Sequence, residues 1–327
     1  MTIGIAVAGT NAGLAAFRAL EAVERVARGA IGGFVSFVAI SQDGRLLRAE
    51  TQRGGTTTLF VDAETTGVPP PPDIAEARLA ALMSSGPDRP APLAQFTPGD
   101  AAVGLVTGHR LPNMPGEGRT TPLNAAVLAR LRAGADPRTA IETELAAHPE
   151  ADAGLIVVDR AGRIHAANSA FVRTRGDLGE DRREDAAHGH KVAVLHTAIH
   201  PIDGLAGLAA AVALDCMAPA DRADFTVTLE AGMALELDAT DALHLDDAGR
   251  VARVTVRHRS WLAGRRDGAV VNFATPVLQH GRIVGHTTAE PYCVTEAGQL
   301  VSLSGQPAAA IGVRRSASPR SRPPAGG

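Results

Sequence analysis

The chain of 327 residues is long enough for one large domain or two ordinary ones with a substantial core. Its formal net charge of −3 gives no single-sign field of the kind that attracts nucleic acid or an anionic membrane. Aromatic residues make up only 3% of the chain, which argues against a stacking platform for single-stranded nucleic acid.

The start of the chain, its longest apolar run and its cysteines lead us to expect a cytoplasmic protein. The start, "MTIGIAVAGT", lacks the basic region and cleavage site of a secretory signal. The longest apolar run, residues 204–214, is too short to cross a bilayer. Cys216 and Cys293 are far apart and form neither a disulfide framework nor a metal knuckle, so we expect a reducing compartment.

The first elements in chain order are a strand, a helix and a hairpin. "TIGIAVAG" (2–9) is a short apolar run typical of a buried strand, and "TNAG" precedes an amphipathic helix that extends to about Ala27. The runs "GGFVSFVAI" and "RLLRAET" are joined by "SQDG", whose Asp-Gly pair is a strong hairpin signal. "DIAEARLAALMSS" then predicts a short helix, and "AAVGLVTGHR" predicts a strand.

The next segments predict two helices and a second hairpin. "TPLNAAVLARLRAG" and "DPRTAIETELAAH" have helical character, and Asp136 followed by Pro137 is the usual order at a helix start. "AGLIVVD" and "RIHAANSAFV" flank the turn "DRAG". We therefore predict an α+β fold in which helices cover the outer faces of packed antiparallel sheets.

The composition predicts two domains and a tail. Residues 1–178 form the first domain, and the charged segment 179–190 is predicted to be a linker. Residues 191–312 are predicted to be a smaller α+β domain with one apolar helix at 203–217, followed by strand-like runs. Residues 313–327 are of low complexity and are predicted to be disordered.

Several short motifs of residues 3–175 occur in the order found in plant-type asparaginases and isoaspartyl peptidases. They are "FRALEAVERVA", "GAIGGFV" (29–35), "TQRGG" (51–55), "VTGHR" (106–110) and "AGLIVVDRAGRIHAAN" (153–168). The first domain thus resembles this family of N-terminal-nucleophile (Ntn) hydrolases. The resemblance implies a four-layer αββα sandwich and hydrolysis of the C–N bond of a small polar amide.

The sequence departs from the family pattern at the residues that carry out the family's reaction. In the family, a threonine after the first glycine of the "GAIGG" motif cleaves its own preceding peptide bond and becomes the nucleophile. Here that position is Ala30, which has no hydroxyl. A supporting threonine of the family falls on Arg53, and the segment that holds the substrate carboxylate has no counterpart. Any nucleophile must therefore lie elsewhere.

Thr2 is the candidate for a relocated nucleophile. Removal of Met1 would leave an N-terminal threonine whose amine, titrating near ~8, suits a general base. Thr107 and Gly108 match the family's Thr-Gly pair at the oxyanion and substrate site, and His109 follows them. The candidate substrate-binding residues come from the two glycine motifs and are Gly32, Gly33, Arg53, Gly54, Gly55 and Thr56.

A histidine cluster offers a different chemistry. His188 and His190 form a His-x-His pair, a geometry that binds zinc in many hydrolases, and His196 and His200 follow. Zinc or another divalent metal is thus a possible cofactor, although the amide-hydrolase reading requires no cofactor.

Three functions remain open from the sequence. The first is an amide hydrolase with a relocated nucleophile, and the second is a non-catalytic member that binds a metabolite or partner. The third is a metal-dependent hydrolase that uses the histidines to activate water. We expect a small-molecule ligand and a homo-oligomer, with no nucleic-acid or membrane partner.

Overall fold

The computed structural model describes residues 1–116, 118, 120–219 and 222–316. The chain divides into two compact units, Met1–Ala218 and Pro219 onward. Helices and strands both contribute, so the predicted mixed α+β class is confirmed. None of the helices in these described residues is both long and apolar enough to span a bilayer.

The first unit contains seven helices and twelve strands within its described residues. The helices are α1 (Ala12–Val26), α2 (Thr56–Leu59), α3 (Pro72–Ala75), α4 (Leu123–Arg132), α5 (Pro137–Ala147), α6 (Ala170–Arg173) and α7 (Leu205–Met217), and a 3-10 helix spans Leu93–Phe96. The strands are β1 (Thr2–Ala8), β2 (Val35–Ile40), β3 (Leu46–Thr51), β4 (Val61–Asp62), β5 (Thr65–Thr66), β6 (Leu79–Ser85), β7 (Gly99–Asp100), β8 (Gly104–Arg110), β9 (Ala153–Asp159), β10 (Ile164–Asn168), β11 (Leu178–Asp185) and β12 (His190–Thr197).

Two antiparallel sheets contain ten of these strands, and β4 pairs with β5 in a separate two-stranded sheet. Sheet 1 has the order β11-β12-β1-β6-β2-β3, and sheet 2 has the order β10-β9-β8-β7. The two predicted hairpins are confirmed, since β2 pairs with β3 and β9 pairs with β10. β1, the first strand in the chain, lies in the interior of sheet 1 between β12 and β6.

Three apolar clusters fix which faces pack together. One face of sheet 1 packs on α1 and α7, and the other face packs against sheet 2. The far face of sheet 2 packs on α4 and α5. The predicted cap of α5 is confirmed, because the Asp136 carboxylate accepts hydrogen bonds from the amides of Arg138 and Thr139.

Glycines allow the two sheets to approach closely near one edge. A Cβ built on Gly4 of β1 would lie 2.3 Å from the carbonyl oxygen of Gly108 on β8. A Cβ on Gly108 would lie 2.0 Å from the carbonyl oxygen of Gly154 on β9. Side chains at these positions would therefore force the strands apart. The close approach places the start of β1 beside the end of β8.

The second unit has its own core. Its strands are β13 (Phe225–Glu230), β14 (Leu235–Leu237), β15 (Ala242–Leu245), β16 (Val251–Val256), β17 (Arg265–Gly268), β18 (Pro276–Gln279), β19 (Arg282–Thr287), β20 (Cys293–Glu296), β21 (Gln299–Leu303) and β22 (Ala308–Arg315), with a 3-10 helix at Arg259–Leu262. They form a seven-stranded sheet, β13-β22-β19-β18-β15-β16-β14, and a three-stranded sheet, β17-β20-β21. Buried valines and leucines from both sheets fill the core.

The structure places the division between units later than the sequence suggested. Residues 179–185 of the predicted linker lie in β11 (Leu178–Asp185), which pairs with β12 along its whole length. The apolar helix at 203–217 is α7, and it packs on α1 in the first unit rather than in the second. Of the predicted disordered tail, residues 313–315 end β22, whereas 317–327 lie outside the described residues.

One predicted helix is wrong. Residues 79–85, "LAALMSS", form β6 between β1 and β2 in sheet 1, and only Pro72–Ala75 of that region is helical. All seven residues of β6 are buried. Burial on both faces of an interior strand overrides the helical preference of alanine, leucine and methionine.

Candidate functional site

A row of hydroxyl side chains crosses sheet 1 at the edge where β1 begins. Thr2 of β1 lies opposite Thr197 of β12 on one side and opposite Ser85 of β6 on the other. Residues directly opposite on neighbouring strands share a face of the sheet. The apolar contact between the two sheets thus gives way to hydroxyl groups at this edge.

Thr2 is bonded to sheet 2 through its side chain. The Thr2 Oγ1 atom accepts a hydrogen bond of 2.6 Å from the backbone N–H of Arg110, the last residue of β8. Thr2 is 7% exposed, and Arg110 has a φ of 65°, which is uncommon for a residue with a side chain. The hydroxyl is therefore held in one orientation at the open end of the space between the sheets.

A cavity of about 330 Å³ opens at this edge. Met1 and Thr2 line it together with three charged residues, Arg89, Arg110 and Asp152. The Arg110 guanidinium forms two hydrogen bonds with the Asp152 carboxylate, one of them 2.6 Å between Nη2 and Oδ2. The apolar part of the lining includes Met83, Phe96 and Met114.

Arg89 gives this cavity an excess of positive charge. Its guanidinium donates to the Ser85 hydroxyl and lies 5.9 Å from the centre of the Phe34 ring. No ion pair of Arg89 occurs among the described residues. Burial lowers the pKa of the Met1 α-amino group, and the charges of Arg110 and Arg89 lower it further.

His109 lies behind Thr2 in a buried network. Its Nε2 is 2.6 Å from Asn168 Oδ1, and its Nδ1 is bonded to the Thr197 hydroxyl. Because the Asn168 oxygen can only accept, Nε2 carries the proton and Thr197 donates to Nδ1. Burial lowers the pKa of His109 to about 4, so the ring is neutral at pH 7. His109 thereby positions Thr197, the neighbour of Thr2.

Thr107 and Gly108 lie inside the protein rather than at the cavity surface. The Thr107 hydroxyl donates to the carbonyl oxygen of Leu82 on β6, which joins the two sheets. Gly108 provides the close approach to Gly4 and Gly154 described above. The structure therefore brings Thr2, Thr107, Gly108 and His109 together, with Thr2 alone among them lining the cavity.

Ala30, which the sequence resemblance matched to the nucleophile position of Ntn hydrolases, is adjacent to Met1. The Ala30 N–H donates to the Met1 sulfur at 3.1 Å, and a Cβ on Gly29 would lie 2.6 Å from that sulfur. A Cβ on Gly86, which follows β6, would lie 3.2 Å from the Ala30 Cβ. The Met1 side chain thus lies between the cavity and residue 30.

The two glycine motifs meet at Glu24 of α1. The Gly55 N–H donates to the Gly33 carbonyl oxygen at 2.9 Å, so this amide is not available as an oxyanion donor. A Cβ on Gly55 would lie 2.3 Å from a Glu24 carboxylate oxygen, and Thr56 donates to the same carboxylate. Burial raises the pKa of Glu24.

The remaining residues of these motifs have structural roles in this arrangement. Gly33 packs against the backbone of residues 85–87, and Gly32 has a φ of 74°. Gly54 has a φ of 90° and contacts Thr58. Arg53 is exposed and forms an ion pair with Asp88 at 2.7 Å. These contacts explain each residue without a ligand, and a role in substrate binding stays a prediction.

The four histidines do not form one cluster. His188 lies in the turn before β12 and His190 begins that strand, where the two rings stack with centroids 5.6 Å apart. His196 lies six residues further along β12, about 20 Å away at 3.3 Å per residue. Among the described residues, no group of three or more His, Cys, Asp and Glu side chains is placed to hold a metal ion. A metal at His188 and His190 stays a prediction.

Sequence reasoning missed several residues of the site, namely Ser85, Arg89, Asp152, Asn168 and Thr197. All of them reach Thr2 or His109 only through sheet pairing or loop packing over long separations in the chain. Arg110 could have been found, because it is the last residue of the "VTGHR" motif.

Two domain families match the chain. Residues 2–226 match the family described as Domain of unknown function (DUF6963), which covers more than half of the chain, so the chain belongs to this family. Residues 232–308 match Domain of unknown function (DUF7259), within the second unit. Among curated proteins, none matches the chain.

Proposed function

We propose that the first unit is a four-layer αββα sandwich of the Ntn-hydrolase type and that it hydrolyses the C–N bond of a small polar amide. The packing of α1 and α7 on sheet 1, sheet 1 on sheet 2, and sheet 2 on α4 and α5 supports this fold. The nucleophile in this proposal is Thr2, made N-terminal by cleavage of the Met1–Thr2 peptide bond.

One observation carries the proposal. The Thr2 hydroxyl stands at the start of an interior strand, at the open end between two packed sheets, and its residue lines a cavity with Arg89, Arg110 and Asp152. An N-terminal threonine brings its own base, because its free amine and its hydroxyl belong to the same residue.

The chemistry follows from these groups. The amine of Thr2 takes the hydroxyl proton as Oγ1 attacks the carbonyl carbon of the amide, and negative charge develops on the carbonyl oxygen. The Arg110 N–H, which donates to Oγ1, holds the attacking oxygen in position. The C–N bond breaks as the proton passes to the leaving nitrogen, which yields an ester on Thr2. Water then hydrolyses that ester to the free carboxylic acid and regenerates the hydroxyl.

Two further groups acquire a role once Met1 is removed. The Ala30 N–H, which donates to the Met1 sulfur, becomes free to donate to the oxyanion. The Arg89 guanidinium, which forms no ion pair within the described residues, attracts a negatively charged group of the substrate. The substrate class is therefore a small amide that also carries an acidic group.

A specific contact favours a second candidate, a non-catalytic protein that binds a ligand in this cavity. The Met1 side chain is packed on Gly29 and accepts from Ala30, so the retained residue fits its surroundings. With Met1 retained, Thr2 has no free amine. The two candidates therefore differ in whether the Met1–Thr2 bond is cleaved.

Intact mass and an amide panel test the proposal. We expect the purified chain to start at Thr2 and to release ammonia or amine from a panel of acidic small amides. Thr2→Ala keeps a small residue after Met1, so Met1 should still be removed. Because the variant lacks the hydroxyl, it should abolish amide hydrolysis. Thr2→Ser should retain part of it, and Thr174→Ala, in an exposed segment, is the matched control.

Either of two results would remove Thr2 as the nucleophile. One is a mass that retains Met1 in an active protein, and the other is full activity of Thr2→Ala. Retention of Met1 with no turnover, together with saturable binding of an acidic amide, would instead support the second candidate.

A further inference from the structure

A second cavity, of about 310 Å³, opens at the opposite edge of the two sheets. Thr10 after β1, Arg78 before β6, Arg160 and Gly162 in the turn between β9 and β10, and the histidines 188 and 190 line it. The seven residues of β1 separate this cavity from Thr2 by about 20 Å at 3.3 Å per residue. The two cavities are therefore distinct sites.

The charged side chains of this second cavity are cationic. Arg78 and Arg160 both line it, and neither guanidinium has a hydrogen bond or an ion pair within the described part of the chain. The Arg78 Nε atom is buried, so water does not replace the missing partner. The lining includes no aspartate or glutamate. Two guanidinium groups without carboxylates define a site for an anion.

Each of the two histidines uses one ring nitrogen as a hydrogen-bond donor. The Thr10 hydroxyl donates to the carbonyl oxygen of Met217 at 3.0 Å, so it accepts from His190 Nε2 at 3.1 Å. The Nδ1 atom of His188 is held by the Asp185 carboxylate at 2.7 Å. One nitrogen of each ring is thus already used as a donor, and the two rings stack with their planes 22° apart.

The neighbouring arginines oppose a cation at this cavity. A divalent metal bound by His188 and His190 would share its cavity with two unpaired positive charges. An anion would instead be attracted by both guanidinium groups. The cavity that contains the two histidines therefore favours an anion over the zinc ion that the sequence suggested.

We propose that this cavity binds the phosphate group of a small molecule. Arginine presents planar pairs of N–H donors that match phosphate oxygens, and two such groups fit one phosphate from two sides. The Gly162 turn, with a φ of 76°, adds backbone at the mouth without a side chain. The volume exceeds that of inorganic phosphate, which leaves space for the remainder of the ligand.

Titration calorimetry of the full chain with inorganic phosphate at low ionic strength tests this site. We expect one phosphate to bind per chain. Arg160 is exposed, so Arg160→Gln should fold normally and should weaken phosphate binding by about tenfold or more. Arg25→Gln on α1, which removes an exposed ion pair, should leave the affinity unchanged.

A second variant and a second anion test the phosphate site further. Arg78→Gln should weaken phosphate binding as well, with a melting curve to verify that it folds. Acetate should bind more weakly than phosphate, and tighter binding of acetate would overturn the phosphate assignment. Absence of phosphate binding, equal affinity of Arg160→Gln, or Zn²⁺ binding that is lost in His188→Gln would overturn the proposal.

Discussion

His109 should make the first unit lose stability as the pH falls from 7.5 to 5. Its ring is fully buried between the sheets, where Asn168 accepts from Nε2 and the Thr197 hydroxyl donates to Nδ1 of the neutral form. Burial lowers the pKa of His109 from 6.5 to about 4. In the unfolded chain the same ring takes up a proton near pH 6.5, so protons favour the unfolded state.

The magnitude follows from these two pKa values. Stability is fully present above the unfolded pKa and is lost as the pH falls toward the folded pKa, below which the loss levels off. At pH 5 the loss from His109 alone amounts to about 2 kcal/mol relative to pH 7.5. Burial also lowers the pKa of His196 to about 4, so a second loss of the same sign adds to it.

Hydrogen exchange of β8 and β12 amides against pH is the suitable assay. Trp261, the single tryptophan, lies in the second unit, so its fluorescence would report on the wrong part of the chain. His109→Gln keeps an N–H donor near Asn168, and it should flatten the pH dependence. His280→Gln, whose side chain is 70% exposed, is the control. Parallel curves for wild type and His109→Gln would refute the reasoning.

Three further changes should alter stability by different mechanisms. Gly108→Ala places a Cβ 2.0 Å from a β9 carbonyl oxygen, so we expect a loss of about 3 kcal/mol in thermal or urea unfolding, whereas Gly176→Ala, which has open space, should be nearly neutral. Asn168→Ala leaves the buried Nε2–H of His109 without a partner and should cost about 1–3 kcal/mol, measured in the same way. Asp136→Ala removes the cap of α5 and should cost about 1 kcal/mol, seen as faster amide exchange in its first turn.

Local signals predicted part of the fold. The Asp-Gly and Ala-Gly turns fix two hairpins, and the Asp136-Pro137 pair marks the start of α5, because each of these signals acts within a few residues. β6 and β11 lack such signals. "LAALMSS" has helical preference, and the charged β11 is an edge strand without apolar alternation. Their identity depends on strands far away in the sequence.

The same limit applies to the candidate site. Thr2 and the "VTGH" motif could be named from the sequence because each is a recognisable pattern. The hydrogen bond between Thr2 and Arg110 could not be predicted, since the two residues are more than a hundred positions apart in the chain. The sequence shows that His188 and His190 form a His-x-His pair. It does not show that Arg78 and Arg160 line the same cavity, where their positive charges favour an anion over a metal ion.

The interior position of β1 affects the order of events during synthesis. Its partner β12 lies almost two hundred residues later in the chain. At 5–20 residues per second, β12 leaves the ribosome roughly 10 to 40 seconds after β1. Until then sheet 1 lacks one of the two neighbours of its innermost strand, and the Met1–Thr2 bond remains open to a processing peptidase. If Thr2 is the nucleophile, as proposed, translation itself provides the interval in which Met1 can be removed before sheet 1 closes around β1.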